Sequence, residues 1–108
     1  MNFGNRVRVL RGASGMTQRQ LAARMDVSVS YISKVENEAL HFGDYPSEKF
    51  IHRLAVELKA DEDELMVLAD KVPKEIRDQM RRRPGLFQAI AKMDDQSLDR
   101  LTKQIVRK

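Results

Sequence analysis

The apolar residues of this chain recur at intervals of three and four positions, the spacing that places side chains on one face of an α-helix. Within the first 70 residues, five such stripes predict five helices. Their inward-facing residues are Phe3, Val7 and Leu10; Leu21, Ala22 and Met25; Ile32 and Val35; Phe50, Ile51, Leu54, Ala55 and Leu58; and Leu65, Leu68 and Ala69. Beyond Val72, the segment PKEIRDQM and two later stripes predict a helical tail. The pattern therefore indicates an all-α protein.

Residues that favour the first turn of a helix mark where these helices begin. The predicted helix starts are Thr17 with Gln20 as a capping box, Ser28, Tyr45 followed by Pro46, Asp61 with Glu64 as a capping box, and Asp95. Between residues 37 and 48 lies the longest segment without helical periodicity. We expect Phe42 and Tyr45 to cover the core beneath this loop rather than to stack on nucleic-acid bases.

The composition limits the class of protein. The 108 residues suit one domain with a modest core. The chain has no cysteine, which excludes disulfides and thiolate metal sites and suits a reducing cytoplasm. It has neither an apolar run near the ~20 residues that cross a bilayer nor a signal-peptide pattern. We therefore expect a cytoplasmic protein with no membrane partner.

Charge is distributed unevenly along the chain, whose formal net charge is +4. Residues 1–36 carry six Lys and Arg against two Asp and Glu, residues 37–70 three against nine, and residues 71–108 eleven against five. The three segments therefore have net charges of +4, −6 and +6. Basic segments attract phosphate polymers or anionic lipid, although the tail alone fits solvated helix faces equally well.

The third predicted helix has an unusually low-profile polar face. At ~100° per residue, Ser30, Ser33, Lys34 and Asn37 cluster on one side, Val29 lies at its edge, and the apolar residues lie opposite. Because this face lacks bulky side chains, the helix backbone can approach a partner closely. The major groove of DNA admits a helix, and serine, lysine and valine can contact base edges and thymine methyls there. The face therefore favours binding of double-stranded DNA.

The segment around this helix resembles the helix-turn-helix of the lambda-repressor and Cro-like family, also called the XRE family. The matching positions are Phe3, Val7 and Arg11; Gln18, Leu21, Ala22 and Met25; Val27, Ser28, Ile32, Val35, Glu36 and Asn37; and Leu54, Ala55 and Leu58. The resemblance covers about residues 3–70. It implies a five-helix lambda-repressor-like domain that binds DNA as a homodimer, with residues 1–70 as the DNA-binding domain and residues 71–108 as a helical extension.

The resemblance also implies roles for individual residues. Gln18 would bond a DNA phosphate and brace the recognition helix, and Asn37 would meet the phosphate backbone. The DNA-binding set is completed by Ser28, Val29, Ser30, Ser33 and Lys34. Arg11 and Glu36 would form an internal ion pair. Where the family commonly has glycine, this chain has Glu38, which predicts that the third helix does not end in a left-handed residue.

The tail leaves two interpretations open. The stripes Leu86, Phe87 and Ile90 and Leu98, Leu101 and Ile105 could close a small separate domain or form a dimer interface. A segment this short buries too little apolar surface to be stable alone, so dimerisation is favoured. The run 81-RRR-83 is either a solvated turn or an added phosphate clamp.

Other functional classes fit less well. The sequence has no recognisable nucleophile, phosphate-binding glycine loop or metalloprotease motif, so we expect no catalytic activity. His41 and His52 lack partners at ligand spacing, so neither a metal site nor a cofactor is predicted. Regulation of transcription, as a repressor or autoregulator, is the favoured function. The alternative is an antitoxin or protein-interaction module in which residues 71–108 bind a partner protein.

Overall fold

The computed structural model describes residues 1–41 and 45–106 of the chain, which divides into two compact units, Met1–Pro73 and a second unit that begins at Lys74. The regular structure within the described ranges is entirely helical, so the predicted fold class is confirmed. The helices are α1 (Phe3–Ala13), α2 (Gln18–Met25), α3 (Val29–Glu36), α4 (Glu48–Leu58), α5 (Glu62–Leu68), α6 (Lys74–Arg82), α7 (Pro84–Ala91) and α8 (Asp95–Val106).

Local side-chain caps define the boundary between α2 and α3. Thr17 and Gln20 form the predicted capping box, with the Thr17 hydroxyl accepting from the Gln20 amide at 3.1 Å and the Gln20 side chain accepting from the Thr17 amide at 2.8 Å. Asp26 ends α2 in the left-handed conformation, with φ of 57°. The Ser28 hydroxyl then accepts from the Tyr31 amide at 3.0 Å. The chain therefore leaves α2 and enters α3 within a short turn.

The first unit has one hydrophobic core to which α1 through α5 all contribute. Its buried side chains are Phe3, Val7, Leu21, Ala22, Met25, Ile32, Val35, Ile51, Leu54, Ala55, Leu58, Leu65 and Met66. On its margin, the ring of Tyr31 in α3 packs edge-on against that of Phe50 in α4, with centroids 5.4 Å apart. Full burial of each large aliphatic side chain contributes about 1.5–3 kcal/mol. The inner face of α3 is thereby fixed by the same core that holds the other four helices.

One predicted helix start and one predicted capping-box partner in the first unit need correction. Helix α4 begins after Ser47, not after Tyr45, because the Ser47 hydroxyl accepts from the Phe50 amide at 3.1 Å and thereby satisfies one of the orphan donors of the first turn. Asp61 caps α5 as expected, accepting from two amides of the first turn. Its predicted capping-box partner, Glu64, instead binds Arg6 at 2.6 Å and links α5 to α1.

The second unit contains α6, α7 and α8, and none of its described side chains, those of residues 74–106, is buried. Helix α8 begins at Asp95, but the side chain that caps it is that of Asp94, one residue earlier than predicted. Asp94 accepts from the Ser97 side chain and amide, and these hydrogen bonds lower the pKa of Asp94. No helix within the described ranges is both long enough and apolar enough to cross a bilayer.

Candidate nucleic-acid interface

The outward face of α3 carries the small polar residues that the sequence placed there. Ser30 and Lys34 are exposed, Ser33 is half-buried, and Val29 is 37% exposed at the edge of the face. Ile32 and Val35, on the opposite side, are buried in the core. The helix therefore has a flat polar surface with one cation near its carboxyl end.

A buried carboxylate at the end of α3 fixes the orientation of this surface. Glu36 is 1% exposed and accepts hydrogen bonds from side chains of α1 and α2. Arg11 donates through Nε to Oε2 at 2.6 Å and through Nη2 to Oε1 at 3.0 Å, and Gln18 donates through Nε2 to Oε1 at 3.0 Å. Arg8 Nε lies 3.5 Å from Oε1. We refer to Glu36 with Arg8, Arg11 and Gln18 as the Glu36 cluster.

The partners in the Glu36 cluster compensate for the burial of the Glu36 carboxylate. Burial opposes ionisation of Glu36, but the hydrogen bonds of its three partners and the charge of Arg11 outweigh that effect and hold the pKa of Glu36 below its usual range. Arg11 also donates to the Met16 carbonyl at 2.8 Å, just before α2 begins. The cluster therefore joins α1, the start of α2 and the end of α3 through directional bonds, which resist rotation of α3 about its axis.

The end of α3 contradicts one sequence prediction. Glu38 has φ of 54°, in the left-handed region that its side chain was expected to prevent. The amides of Glu38 and Ala39 donate to the carbonyls of Val35 (3.3 Å) and Lys34 (2.8 Å), the paired bonds of a Schellman motif. The expectation that glutamate at this position excludes such a motif is therefore wrong.

A contact with α1 explains why glutamate is accommodated there. The Gly4 amide donates to Glu38 Oε1 at 2.7 Å, a bond that glycine at position 38 could not form. The backbones are so close that a Cβ at Gly4 would lie 2.5 Å from the Val35 carbonyl oxygen and 2.6 Å from that of Glu36. The start of α1 thus lies directly against the end of α3, and the Glu38 carboxylate joins the two.

A family model described as a helix-turn-helix domain matches residues 2–68 of the chain. The matched segment is more than half of the 108 residues and spans α1 through α5. The chain belongs to this helix-turn-helix family. The resemblance inferred from the sequence is confirmed at this level. No curated protein and no solved structure matches the chain closely enough to add to the assignment.

Within this helix-turn-helix domain, four of the predicted DNA-binding residues, Gln18, Ser28, Ser33 and Asn37, already make internal hydrogen bonds. Gln18 donates to Glu36, and Ser28 caps α3. Asn37 accepts from Arg8 Nη2 at 2.6 Å and donates through Nδ2 to Ser33 Oγ at 3.3 Å. Their side chains are therefore held in place before any partner arrives.

The sequence did not single out Arg8 or Gly4. Arg8 lies three residues before Arg11 on α1, a spacing that puts both side chains on one helix face, and this spacing could have identified it as a second partner of Glu36. Gly4 follows the buried Phe3 within a helix, where glycine is unfavourable unless a close contact requires it.

The loop after α3 does not cover the core at Tyr45, the residue where the structure tests that prediction. Tyr45 is 58% exposed, so it does not cover the core as expected, and Phe42, for which the same role was predicted, lies outside the described residues. His41 is exposed, and His52 Nδ1 lies 2.5 Å from Glu62 Oε1. No group of three or more potential metal ligands occurs within residues 1–41 and 45–106.

Proposed function

We propose that this helix-turn-helix protein is a sequence-specific, double-stranded DNA-binding regulator of transcription whose α3 enters the major groove. The observation that carries the proposal is the combination of a flat polar face on α3 with the Glu36 cluster that fixes its orientation. Ser30, Ser33 and Lys34 would read base edges, and Val29 would contact a thymine methyl. Lysine can reach O6 and N7 of guanine.

Three neighbouring side chains retain a hydrogen-bond donor for phosphate. An amide nitrogen carries two hydrogens, so Gln18 Nε2 can donate to Glu36 and to a phosphate together, and Asn37 Nδ2 can do the same beside Ser33. The Ser28 oxygen accepts from the Tyr31 amide, which leaves its own hydrogen available. We therefore assign the backbone-positioning contacts to Gln18, Ser28 and Asn37, since phosphate contacts set register and base contacts specify sequence.

We further propose that the protein acts in the cytoplasm as a homodimer and as a repressor or autoregulator. The second unit supports dimerisation because residues 74–106 include exposed apolar side chains and no buried one. A helical segment of this size does not form a stable core of its own. In a symmetric dimer, the two copies of α3 would contact half-sites about 34–36 Å apart.

The test is selection of binding sites from random duplex DNA, followed by affinity measurements with Lys34→Ala. If Lys34 reads a guanine, the selected duplex should lose about 1–3 kcal/mol of binding free energy, and discrimination at one base pair should relax. Lys59→Ala is the matched control, because Lys59 is an exposed cation at the end of α4, outside α2 and α3. Equal weakening of all duplexes by Lys34→Ala would reduce Lys34 to a phosphate contact. Absence of any selected motif would contradict the proposal.

A second candidate function is an antitoxin or protein-interaction module whose tail binds a partner protein. This second function is favoured by the exposure of four apolar side chains that a partner protein could cover, those of Ile76, Met80, Leu86 and Ile105. Sedimentation and amide NMR of the full chain separate the two functions. A dimer with dispersed tail resonances supports the regulator, whereas a monomer with tail resonances typical of an unfolded segment supports the interaction module.

A further inference from the structure

Positive charge is divided unequally between the two units. Residues 1–73 contain ten Lys and Arg against eleven Asp and Glu, a net charge of −1, whereas residues 74–108 contain ten against five, a net charge of +5. Non-specific affinity for duplex DNA comes almost entirely from cations that neutralise phosphates. The unit that carries the helix-turn-helix therefore lacks the overall charge that usually supplies this affinity.

Most arginines of the first unit are also engaged in structural ion pairs. These pairs are Arg6 with Glu64 (2.6 Å), Arg8 with Glu36 (3.5 Å), Arg11 with Glu36 (2.6 Å) and Arg24 with Glu57 (3.5 Å). A carboxylate at this distance offsets the positive charge that a phosphate would otherwise meet. The positive potential available from the first unit is therefore smaller than its number of arginines suggests.

The second unit carries a different kind of basic surface, which we call the arginine cluster: Arg77, Arg81, Arg82 and Arg83. All four side chains are exposed. Among the described residues, no carboxylate lies within 4.0 Å of Arg77, Arg82 or Arg83, and Arg83 donates instead to the neutral Gln79.

Within the described ranges, Asp78 is the carboxylate that pairs with the cluster, and it is shared with a lysine. Asp78 is 3.5 Å from Arg81 Nη1 and 3.3 Å from Lys74 Nζ, so one carboxylate offsets part of two cations. Arg77 and Arg81 are four residues apart on α6 and therefore share a face, while Ile76 and Met80 share another. Arg77 and Arg81 therefore lie on a different side of α6 from the exposed Ile76 and Met80.

We infer that the arginine cluster is a second phosphate-binding site, which contacts the DNA backbone and adds salt-dependent affinity to that of the first unit. The inference rests on the proposed function, since it assigns a further role on the same duplex. Guanidinium groups suit this role because their planar donors match phosphate oxygens bidentately. Such contacts carry no base preference, so the cluster should raise affinity for every duplex and leave the selected motif unchanged.

The test compares two triple variants of the full chain that remove the same charge. One is Arg81→Gln with Arg82→Gln and Arg83→Gln. The matched control is Lys92→Gln with Arg100→Gln and Lys103→Gln, which removes three exposed cations of the same unit outside the cluster. Affinities for the selected duplex and for a scrambled duplex are measured across a series of salt concentrations, and sedimentation at the assay concentration reports oligomeric state.

The slope of log affinity against log salt concentration decides the outcome. It changes by about 0.9 for each phosphate contact, so the cluster variant should have a slope shallower by up to about 2.7 for each protomer, with the same motif selected. An equal change in both variants would overturn the inference, because it would reflect overall charge. An unchanged slope, or loss of the dimer in the cluster variant alone, would also overturn it. Failure of the wild-type chain to bind any duplex would instead refute the proposed function.

Discussion

Replacing Gly4 by alanine should change the stability of the protein through two opposing effects, steric overpacking between α1 and α3 and a gain in helix propensity. In Gly4→Ala, the new Cβ would lie 2.5 Å from the Val35 carbonyl oxygen. Carbon–oxygen contacts are normally about 3.3–3.6 Å, so the two backbones must separate by roughly 1 Å. Such overpacking costs about 1–3 kcal/mol. The separation also weakens the hydrogen bond from the Gly4 amide to Glu38, and a bond to a charged group contributes about 1.5–3 kcal/mol.

The opposing effect is helix propensity, since replacing glycine by alanine within a helix gains at most about 1 kcal/mol. We therefore expect Gly4→Ala to lower the free energy of unfolding by about 2–4 kcal/mol. Gly12→Ala is the control in the same helix, because a Cβ there would have no described atom within 4 Å. It should raise stability by about 0.5–1 kcal/mol.

The assay is urea unfolding of the full chain, followed by far-UV circular dichroism at one fixed protein concentration, because any dimerisation makes stability concentration-dependent. The urea midpoint should fall for Gly4→Ala and rise for Gly12→Ala, with the slope of the unfolding free energy against urea concentration unchanged. If Gly4→Ala proves as stable as the wild type, the inferred contact between the start of α1 and the end of α3 is refuted.

Four further variants, at three positions, test the contacts that hold α2 and α3. Glu36→Gln leaves Arg11 without its counter-ion and should lower the free energy of unfolding in urea by about 3 kcal/mol. Because folding lowers the pKa of Glu36, the wild type should also lose stability as the pH falls below about 4–5. The variant should lose less stability over the same pH range. A variant with the same acid dependence as the wild type would contradict this. Glu38→Ala keeps the left-handed backbone but loses the bond to Gly4, whereas Glu38→Gly relieves the backbone strain, so Glu38→Ala should be the less stable by about 1–2 kcal/mol; equal stability would argue against strain at this position. Thr17→Ala removes the capping box and should cost about 1 kcal/mol, and a variant with an unchanged midpoint would show that the cap contributes little.

The features that the sequence predicted are those decided locally. Apolar periodicity located α1 to α5 because each of them buries one face in the core, and Thr17 and Ser28 cap their helices through amides only three residues away. The same reasoning failed where two acceptors competed for one helix start. Asp94 and Asp95 are adjacent, and only the geometry of the turn decides that Asp94 accepts from the amide of Ser97.

The features that the sequence did not reveal depend on residues far apart in the chain. Glu38 adopts a left-handed conformation because its carboxylate binds the Gly4 amide, a contact between residues 34 positions apart. Glu64 binds Arg6 across 58 positions instead of capping its own helix. Long-range contacts of this kind leave no periodic signal in a single sequence. The pairing of Arg11 with Glu36 was expected only because the chain resembles a known family.

Amide NMR of the full chain during titration with its selected duplex tests the central claim most directly. The claim is that the outward face of α3, held by the Glu36 cluster, is the surface that meets the bases. The largest shift changes should occur at Val29, Ser30, Ser33 and Lys34, with smaller ones at Gln18 and Asn37. Shift changes confined to α4 and α5, with α3 unaffected, would contradict the account.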